Sequence, residues 1–437
     1  MLTSKSKTNT IGWPTATAIV VANMIGAGIF TSLGFQLVGT QNSWSILLLW
    51  SLGALMALCG ALSYAELGTY WMRSGGEYHF LSKAFHPLLG YLSGWVSLTI
   101  GFSAPVALAG MAMGEYIGPY LGIPELFLAI GVVVLISFFH SMSIQKSSAL
   151  QNFTTVLKVL LIVTLIYFGL TQTPEASALI WDKGWQEEIL SSAFAVSFVF
   201  VTFSYSGWNA AAYIVDEIHD ARKTLPRALL LGTVVVSLLY LLLNFVFLRQ
   251  NALESLQGQL EIGQITANAL FGARGGELIS FAIALMLVSS ISAMVWAGPR
   301  VTQVMAEDHR LWQWFSKKSG RQVPVRAIWL QALITLTLLL TGTFEQVLIY
   351  SGFVLQLFAA LAVAGVFVVR KKNKNVQSSK TYRSPLFPIP QIIFLAFSGW
   401  VLTYLLIAQP WESGLGLLNL IVGYLVYQAD KIYSKKL

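Results

Sequence analysis

Apolar stretches recur along almost the whole chain, each long enough to cross about 30 Å of hydrocarbon as a helix of roughly 20 residues. Short polar segments, or segments that contain Pro and Gly, separate them. Only 11% of the 437 residues are charged, whereas soluble domains carry about 25%. A soluble fold of this size could not bury so much apolar surface. The sequence therefore predicts an all-α polytopic membrane protein.

The boundaries of the apolar runs predict twelve transmembrane helices. The predicted starts lie near Ile11, Ser43, Leu88, Glu125, Ser147, Leu190, Leu225, Leu278, Ala327, Glu345, Pro388 and Gly414. The longest outer segment then runs from Gln250 to Glu277. Its apolar residues at helical spacing predict one or two short helices over the extracellular vestibule. No cleavable signal peptide is expected, because the first apolar stretch continues as a full span.

The basic residues orient these helices, because cytoplasmic loops are enriched in Lys and Arg. Of the 27 Lys and Arg residues, 23 fall on one side of the predicted ladder. Three residues, Lys183, Arg249 and Arg274, fall on the other side, and Lys158 lies within a span. Both termini are therefore predicted to be cytoplasmic, with the chain in the cell (plasma) membrane. The same distribution explains the net charge of +8 without a nucleic-acid partner.

Motifs for an enzyme or a metal site are missing from the sequence. It has no HExxH, no GxSxG and no GxxxxGK[ST] segment, and its five histidines show no ligand spacing. The single cysteine, Cys59, cannot form an internal disulfide. The spans also lack the continuous polar lining of a channel. We therefore expect no catalytic residue, no cofactor and no metal.

Two spans contain segments that weaken a helix near its middle. The first span has the sequence IGAGIF at residues 25–30, and the sixth has FSYSGWN at residues 203–209. Such glycines could simply let helices pack closely. Interruptions at matched positions, however, indicate a transporter with two five-helix repeats and a binding site at the midplane. We predict that the helices are unwound at Gly26 to Gly28 and at Ser204 to Gly207, and that the two breaks face each other.

Broken helices suit an amino acid zwitterion. Their free N–H groups attract a carboxylate, and their free C=O groups accept from an ammonium. The predicted substrate-binding residues are Ile25, Gly26, Ala27, Gly28, Phe203, Ser204, Ser206 and Gly207. They are small or neutral, and no acidic residue lies beside either break. Neutral and small amino acids are therefore favoured over arginine or polyamines.

Lys158 is the one basic residue that lies far from a predicted membrane interface. Charges within the membrane are costly and are usually functional. Its ammonium is predicted to lie near the carbonyls of Ala22 and Asn23 and near a hydroxyl of the eighth span, Ser289 or Ser290. It could replace a sodium ion as a fixed cation. It could equally carry a proton, because burial disfavours the charged form.

Charged residues at the cytoplasmic ends have simpler expected roles. Glu66 is expected to form an interfacial salt bridge or a helix cap, with gating as the alternative. Asp216 and Glu217 are expected to fasten a cytoplasmic loop. The basic run from Arg370 to Lys380 is expected to be a solvated connector, with a contact to membrane lipid headgroups as the alternative.

Five segments, in order along the chain, resemble the amino acid–polyamine–organocation (APC) superfamily over essentially the full length. They are the break at residues 25–30, SYAELGTYWMRSGGEYHFLSKAF at 63–85, SYSGWNAA at 204–211, DEIHDARKTLPRAL at 216–229 and GPRVTQVMAEDHRLWQWF at 298–315. The resemblance implies two inverted five-helix repeats, residues 1–170 and 171–387, and two peripheral helices, residues 388–437. It also implies substrate binding between the first and sixth helices, and Na⁺ independence associated with a lysine on the fifth.

Within the superfamily, FSYSGWN is most similar to the L-type amino acid transporters and their bacterial relatives. In that group the aromatic at the Phe203 position closes over bound substrate, which implies an extracellular-side gate. Eukaryotic L-type light chains carry a cysteine in the second extracellular loop that bonds an ancillary glycoprotein. The loop from Gly114 to Pro124 has none, so no disulfide-linked heavy subunit is expected.

The expected function is Na⁺-independent secondary transport of neutral, small L-amino acids by alternating access, as an exchanger. A proton-coupled symporter is the alternative, and an amino acid sensor on the same scaffold is a third possibility.

Overall fold

The computed structural model describes residues 11–142, 147–182, 184–317, 319, 323–372 and 381–435. Nine basic residues of the orientation argument lie outside this part of the chain: Lys5, Lys7, Lys146, Lys183, Lys318, Arg321, Lys374, Lys380 and Lys436. The connector predicted from Arg370 to Lys380 is described only as far as Lys372.

Helices dominate the described residues, which contain no β-strand. The α-helices are α1 Trp13–Met24, α2 Gly28–Gly39, α3 Ser43–Trp71, α4 Glu77–Ala84, α5 Pro87–Val96, α6 Ser103–Leu121, α7 Glu125–Met142, α8 Ser147–Thr171, α9 Trp185–Glu188, α10 Ser192–Ser204, α11 Ala221–Gln250, α12 Leu253–Leu256, α13 Ile262–Asp308, α14 Gln313–Ser316, α15 Val325–Thr341, α16 Phe344–Lys372, α17 Ile389–Ala408 and α18 Pro410–Lys435. A π-helix at Ser97–Gly101 joins α5 to α6, and 3₁₀-helices occur at Ala210–Glu217 and Arg310–Trp312.

Eight stretches within the described residues are long and apolar enough to cross a membrane. They are Trp13–Gly39, Ser43–Trp71, Pro87–Leu121, Glu125–Met142, Ala221–Gln250, Ile262–Asp308, Phe344–Lys372 and Ile389–Ala408. Three shorter apolar helices accompany them, at Thr155–Thr171, Ser192–Ser204 and Val325–Thr341. The prediction of an all-helical, multi-pass membrane protein is confirmed.

Helix α11 illustrates how the apolar residues divide between lipid and protein. Leu231, Val234, Leu238 and Leu242 are 40–57% exposed and recur every three or four residues, so they form one face. The opposite face packs against α3 and α1 and includes Tyr240, which is fully buried. An exposed stripe of large apolar residues along a helix is expected where its solvent is hydrocarbon.

The segment before the eighth span contains the short helices that the sequence predicts. Helix α13 begins at Ile262, but non-helical φ and ψ at Gly272 divide it, so its long apolar part starts after Gly272, close to the predicted start near Leu278. The predicted short helices correspond to α12 and to the first turns of α13, before a kink at Gly272 with φ 70° and ψ 179°.

The helices that carry the site pack around the broken first span. Helix α1 contacts α11 and α8, whereas α2 contacts α10. The Ser191 hydroxyl caps α10 by accepting from the Phe194 amide at 3.1 Å, which fixes where the sixth span begins. Helices α17 and α18 pack on α16 and on each other at the edge of the bundle.

Candidate functional site: two facing helix breaks and a buried lysine

The first break separates α1 from α2. Helix α1 ends at Met24, Ile25 is extended with φ −75° and ψ 93°, and α2 begins at Gly28. The interruption therefore covers residues 25–27, one residue earlier than the predicted 26–28. Among the described atoms, a β-carbon added to Gly26 would meet nothing within 4 Å, so Gly26 borders open space.

The second break follows α10. Ser204 is the last residue of α10, and turns at residues 205–209 lead into the 3₁₀-helix Ala210–Glu217. The unwound segment thus begins one residue after the predicted Ser204. Gly207 has φ +97°, in the left-handed region that glycine tolerates best. The backbone can therefore adopt this conformation without the steric cost that a side chain would add.

The two breaks face each other through close approaches at glycine. A β-carbon on Gly28 would lie 2.6 Å from the Ser204 Oγ. A β-carbon on Gly207 would lie 2.7 Å from the carbonyl carbon and oxygen of Asn23. Side chains at these two positions would force the spans apart. Gly28 and Gly207 therefore serve packing between the breaks, whereas Gly26 faces the free space.

Side chains from other spans satisfy the carbonyl end of α1. The Tyr240 hydroxyl donates to the Met24 carbonyl at 2.6 Å. Lys158 Nζ donates to the carbonyls of Ala22 at 3.3 Å and Ile25 at 2.9 Å. On the other side of the break, the first amides of α2 lack intrahelical acceptors because they begin a helix. The break is thus polarised to attract an anionic group.

Lys158 lies in α8 and is 1% exposed. Besides the two carbonyls, its ammonium donates to the Ser290 Oγ at 2.7 Å, so three oxygens surround it. The prediction named Ala22 and Ser290 among the acceptors, and both are observed. The second carbonyl belongs to Ile25, two residues beyond the predicted Asn23. Ser289, the alternative hydroxyl, is buried in the same helix.

The predicted side chains of the sixth span differ in what they present to the site. Ser204 is 3% exposed, and its Oγ donates to the Phe200 carbonyl at 2.8 Å and contacts the Ser32 Oγ at 2.9 Å. Its hydroxyl is thus engaged within the protein. Ser206 is half-buried, and Phe203 is 8% exposed. The structure places Ile25, Gly26, Ala27, Ser206 and Gly207 within the two facing breaks. Gly28 begins α2, and Phe203 and Ser204 lie in the last turn of α10, directly beside the breaks.

Sequence reasoning missed the aromatic residues that hold the breaks. Tyr240 lies against Trp50 and Tyr205, with ring centroids 5.6 and 5.2 Å away. The Tyr116 hydroxyl donates to the Phe30 carbonyl at 3.0 Å and accepts from the Gly263 amide at 3.1 Å. A tyrosine near the middle of an apolar span was the available signal. With 16 tyrosines in the chain, that signal does not single them out.

The end of the bundle with the basic loops, here called the basic end, carries a buried ion pair. Arg370 Nε and one terminal nitrogen each lie 2.7 Å from one Glu66 oxygen, which makes the pair bidentate. The Ser384 amide donates to the same carboxylate at 2.8 Å, and the guanidinium lies over the Phe387 ring. Glu66 therefore joins α3, α16 and the segment before α17. Burial, and then the Glu66 charge, raise the pKa of Tyr382 to about 12.

The segment after the second break is also fastened at this end. The Ser74 hydroxyl donates to the Asp216 carboxylate. The Ile11 amide donates to the Glu217 carbonyl at 3.2 Å, and the His219 amide donates to the Ile11 carbonyl at 2.9 Å. Both acidic residues thus lie at the end of the 3₁₀-helix, which neighbouring segments hold in place. Within the described ranges, no group of three or more His, Cys, Asp and Glu is placed to hold a metal ion.

Comparison with known proteins agrees with this architecture. A family profile described as amino acid permease matches residues 11–422. The serine/threonine exchanger SteT of Bacillus subtilis (strain 168) is 29% identical over 430 residues, which cover 96% of this chain and 96% of that protein.

Two human proteins are similar over nearly the same length. The b(0,+)-type amino acid transporter 1 of Homo sapiens is 27% identical over 427 residues, which cover 95% of this chain and 87% of that protein. The cystine/glutamate transporter of Homo sapiens is 28% identical over 429 residues, which cover 96% and 84%. The chain therefore belongs to the amino acid permease family of the APC superfamily, whose members are transporters and not enzymes.

Proposed function

We propose that this protein is a Na⁺-independent secondary transporter that exchanges neutral, small L-amino acids across the cell membrane by alternating access. The observation that carries the proposal is the pair of facing helix breaks, with the buried ammonium of Lys158 bound to the carbonyl end of one of them. Discontinuous helices that meet at membrane depth are how secondary transporters bind small charged groups without charged side chains.

The proposed architecture has twelve spans. The eight long stretches, the three shorter apolar helices and α18 together supply that number. Residues 1–170 and 171–387 would form the two inverted repeats, and residues 388–437 the two peripheral helices. The breaks then fall in the first helix of each repeat. The excess of basic residues on one side of the ladder supports cytoplasmic termini.

The proposed pose places the substrate carboxylate at the amides of residues 26–28. These amides lead into α2, whose first residue is Gly28, and the space beside Gly26 is open. The substrate ammonium would lie near the carbonyls of the last turn of α10, where a helix end leaves some C=O groups without an intrahelical donor. Phe203, in the last turn of α10, would close over the substrate from the extracellular side. The small neutral residues around the breaks favour small neutral side chains.

Lys158 is proposed as the substitute for a sodium ion. Its ammonium already donates to two carbonyls of the first break and to one hydroxyl of α13. The similarity to the serine/threonine exchanger SteT supports exchange of amino acids. Proton-coupled symport is the second candidate, because the same lysine is titratable and all three of its acceptors are uncharged.

No disulfide-linked heavy subunit is proposed. The only cysteine, Cys59, is 4% exposed within α3, so it is not available at the surface for a bond to another chain. The partners proposed are the amino acid substrate and the surrounding lipid.

Reconstitution in proteoliposomes tests the function. Uptake of a panel of labelled amino acids is measured with and without internal amino acid, in Na⁺ and in K⁺ buffers, and with an imposed pH gradient. We expect saturable uptake of small neutral amino acids that requires internal amino acid and is equal in the two buffers. Uptake that needs a pH gradient and no internal substrate would instead establish proton symport. Binding without uptake would indicate a sensor.

A further inference from the structure

One buried carboxylate at the basic end is not used in the proposed transport site. Glu77, the first residue of α4, is 8% exposed. Its Oε1 accepts from the Tyr64 hydroxyl at 2.6 Å and from Asn209 Nδ2 at 3.0 Å. Its Oε2 accepts from the Tyr213 hydroxyl. Both oxygens are thus bound by donors from α3, from the second break and from the 3₁₀-helix that follows it.

These donors connect Glu77 directly to the second break. Asn209 lies two residues after Gly207, and the neighbouring Trp208 ring packs edge-on against the Tyr64 ring at 4.7 Å. Any displacement of Glu77 relative to the sixth span would therefore be felt at the proposed substrate site.

The 3₁₀-helix Ala210–Glu217 depends in part on contacts with its neighbours. Helices of this type have poorer hydrogen-bond geometry than α-helices, and Ile214 within it has non-helical φ and ψ. The segment before α4 supplies further contacts, because the Gly75 amide donates to the Tyr213 carbonyl at 3.2 Å. A β-carbon on Gly76 would overlap the Tyr213 ring.

The two buried carboxylates of the basic end differ in how firmly they are bound. Glu66 forms a bidentate ion pair with Arg370, and such a pair is strongly destabilising to break. The donors to Glu77 are two phenols and one amide, all neutral, and neutral donors bind a carboxylate more weakly than a guanidinium does. The Glu66 junction is therefore suited to stay closed, whereas the Glu77 junction is suited to open and close.

We propose that Glu77 is a positioning residue that acts as a cytoplasmic latch: its carboxylate holds the segment from Asn209 to Tyr213 against α3 and α4, and it must release before the path from the breaks opens to the cytoplasm. The inference rests on the proposed alternating access. The competing explanation is that Glu77 only stabilises the start of α4, where an acidic residue favours the helix dipole. That role would alter stability but not access to the breaks.

Thiol accessibility tests the latch. Cys59→Ser removes the only native thiol, and Ser206→Cys places one in the second break. Inverted membrane vesicles then expose the cytoplasmic face to a charged, impermeant methanethiosulfonate reagent, with no amino acid present. We expect Glu77→Gln to raise the rate of labelling at position 206 about tenfold, as expected for the loss of one charged hydrogen bond. Labelling from the outer face should fall.

Three further variants make the experiment decisive. Tyr213→Phe removes one donor but keeps the ring, so labelling should rise by a smaller factor. In the double variant with Glu77→Gln, the labelling rate should rise by less than the product of the two separate fold-changes, because both substitutions act on one contact. The control is Glu307→Gln. It removes an exposed carboxylate near the end of α13, where Gln303 donates to it, and it should leave labelling unchanged.

The latch is wrong if Glu77→Gln and Tyr213→Phe both remain folded, by monodispersity and melting temperature, yet label at the background rate. Tyr64→Phe supplies another ring-conserving variant if Glu77→Gln fails to fold. Because labelling needs no substrate, it separates the two proposals. A shift in accessibility without any amino acid transport would overturn the proposed function and keep the latch. Amino acid transport with unaltered labelling would overturn the latch and keep the proposed function.

Discussion

Gly28 and Ser204 lie so close that a methyl group on Gly28 would stand 2.6 Å from the Ser204 Oγ and 2.7 Å from its Cα. Contacts of this length do not occur between carbon atoms at rest, and one of the two contacted atoms is backbone. The distance between the first and sixth spans is therefore set by the absence of a side chain at position 28.

Gly28→Ala should separate the two breaks and abolish most transport. Overpacking of a tight contact costs about 1–3 kcal/mol, so the melting temperature should also fall. Gly26→Ala is the matched control, since a β-carbon there would meet open space. It should remain as stable as the wild type and alter only the apparent affinity for substrate. Equal losses of stability in the two variants would contradict the distinction.

Lys158→Ala should leave the protein folded but cut transport severely, because three hydrogen bonds from a buried ammonium are lost. Each is worth roughly 1.5–3 kcal/mol, enough to shift a conformational equilibrium by an order of magnitude. Lys158→Met keeps the length and should behave alike. Exchange is measured in proteoliposomes at several pH values, with Lys431→Ala, an exposed lysine, as control.

The result also separates the two roles of the lysine. If Lys158→Ala loses only its pH dependence, Lys158 carries a proton. If the rate and the dependence on pH and on substrate at both faces match the wild type, both coupling roles are excluded.

Phe203→Ala should remove the proposed gate. Substrate would then be held less well from the extracellular side, so the apparent affinity or the transport rate should fall. The melting temperature should fall about as much as it does when other aromatic side chains are truncated. Phe138→Ala is the control, because that ring is 49% exposed on α7. Unchanged kinetics in Phe203→Ala would remove the gate assignment.

Glu66→Gln should lower the free energy of unfolding by about 3–5 kcal/mol, because it leaves the Arg370 guanidinium partly buried without its carboxylate. Asp220→Asn removes the charge of an exposed ion pair with Lys223. The side chain of Lys223 is 74% exposed and that of Asp220 is 44% exposed. That change should cost less than about 1 kcal/mol. Melting in detergent compares the two. Similar losses would show that the Glu66 pair is no stronger than a surface pair.

His79 makes stability depend on pH. It lies in α4, outside the spans, and burial, followed by the charges of Arg73 and Lys83, lowers its pKa from 6.5 to about 4. Between these values the unfolded chain binds a proton that the folded protein does not, so stability is complete above pH 6.5 and falls as pH decreases toward 4. His79→Gln should flatten the melting temperature over this range. If the melting temperature of His79→Gln changes with pH as steeply as that of the wild type, His79 is not the cause of the pH dependence.

Much of the fold was predictable because hydropathy and length reflect one physical constraint, the thickness of the bilayer. The short helix at residues 262–271 was predicted from apolar residues at helical spacing, but its junction with the eighth span at Gly272 was not, because hydropathy does not report backbone φ and ψ. Helix boundaries at the breaks shifted by one residue, since backbone hydrogen bonds such as Tyr205 N–H to the Val201 carbonyl decide where a helix ends.

The site was predictable where a residue type is anomalous for its surroundings. A lysine inside a span and glycines at matched depths are such anomalies. The contacts of Tyr240 and Glu77 were not predictable. Both residues bond to segments more than 100 residues away in sequence, and neither is an unusual residue type at its position. Choosing Ile25 over Asn23 as the acceptor required the three-dimensional direction of each carbonyl.

The ammonium beside the first break is covalently part of the polypeptide, so it never leaves with the substrate. A mobile ion at that position would contribute the free energy of its own gradient to every cycle. In the proposed role of a fixed cation, Lys158 would contribute none. Under one-for-one exchange, the inside-to-outside ratio of one neutral amino acid would then equal that of the amino acid for which it is exchanged, and the membrane potential would leave this ratio unchanged.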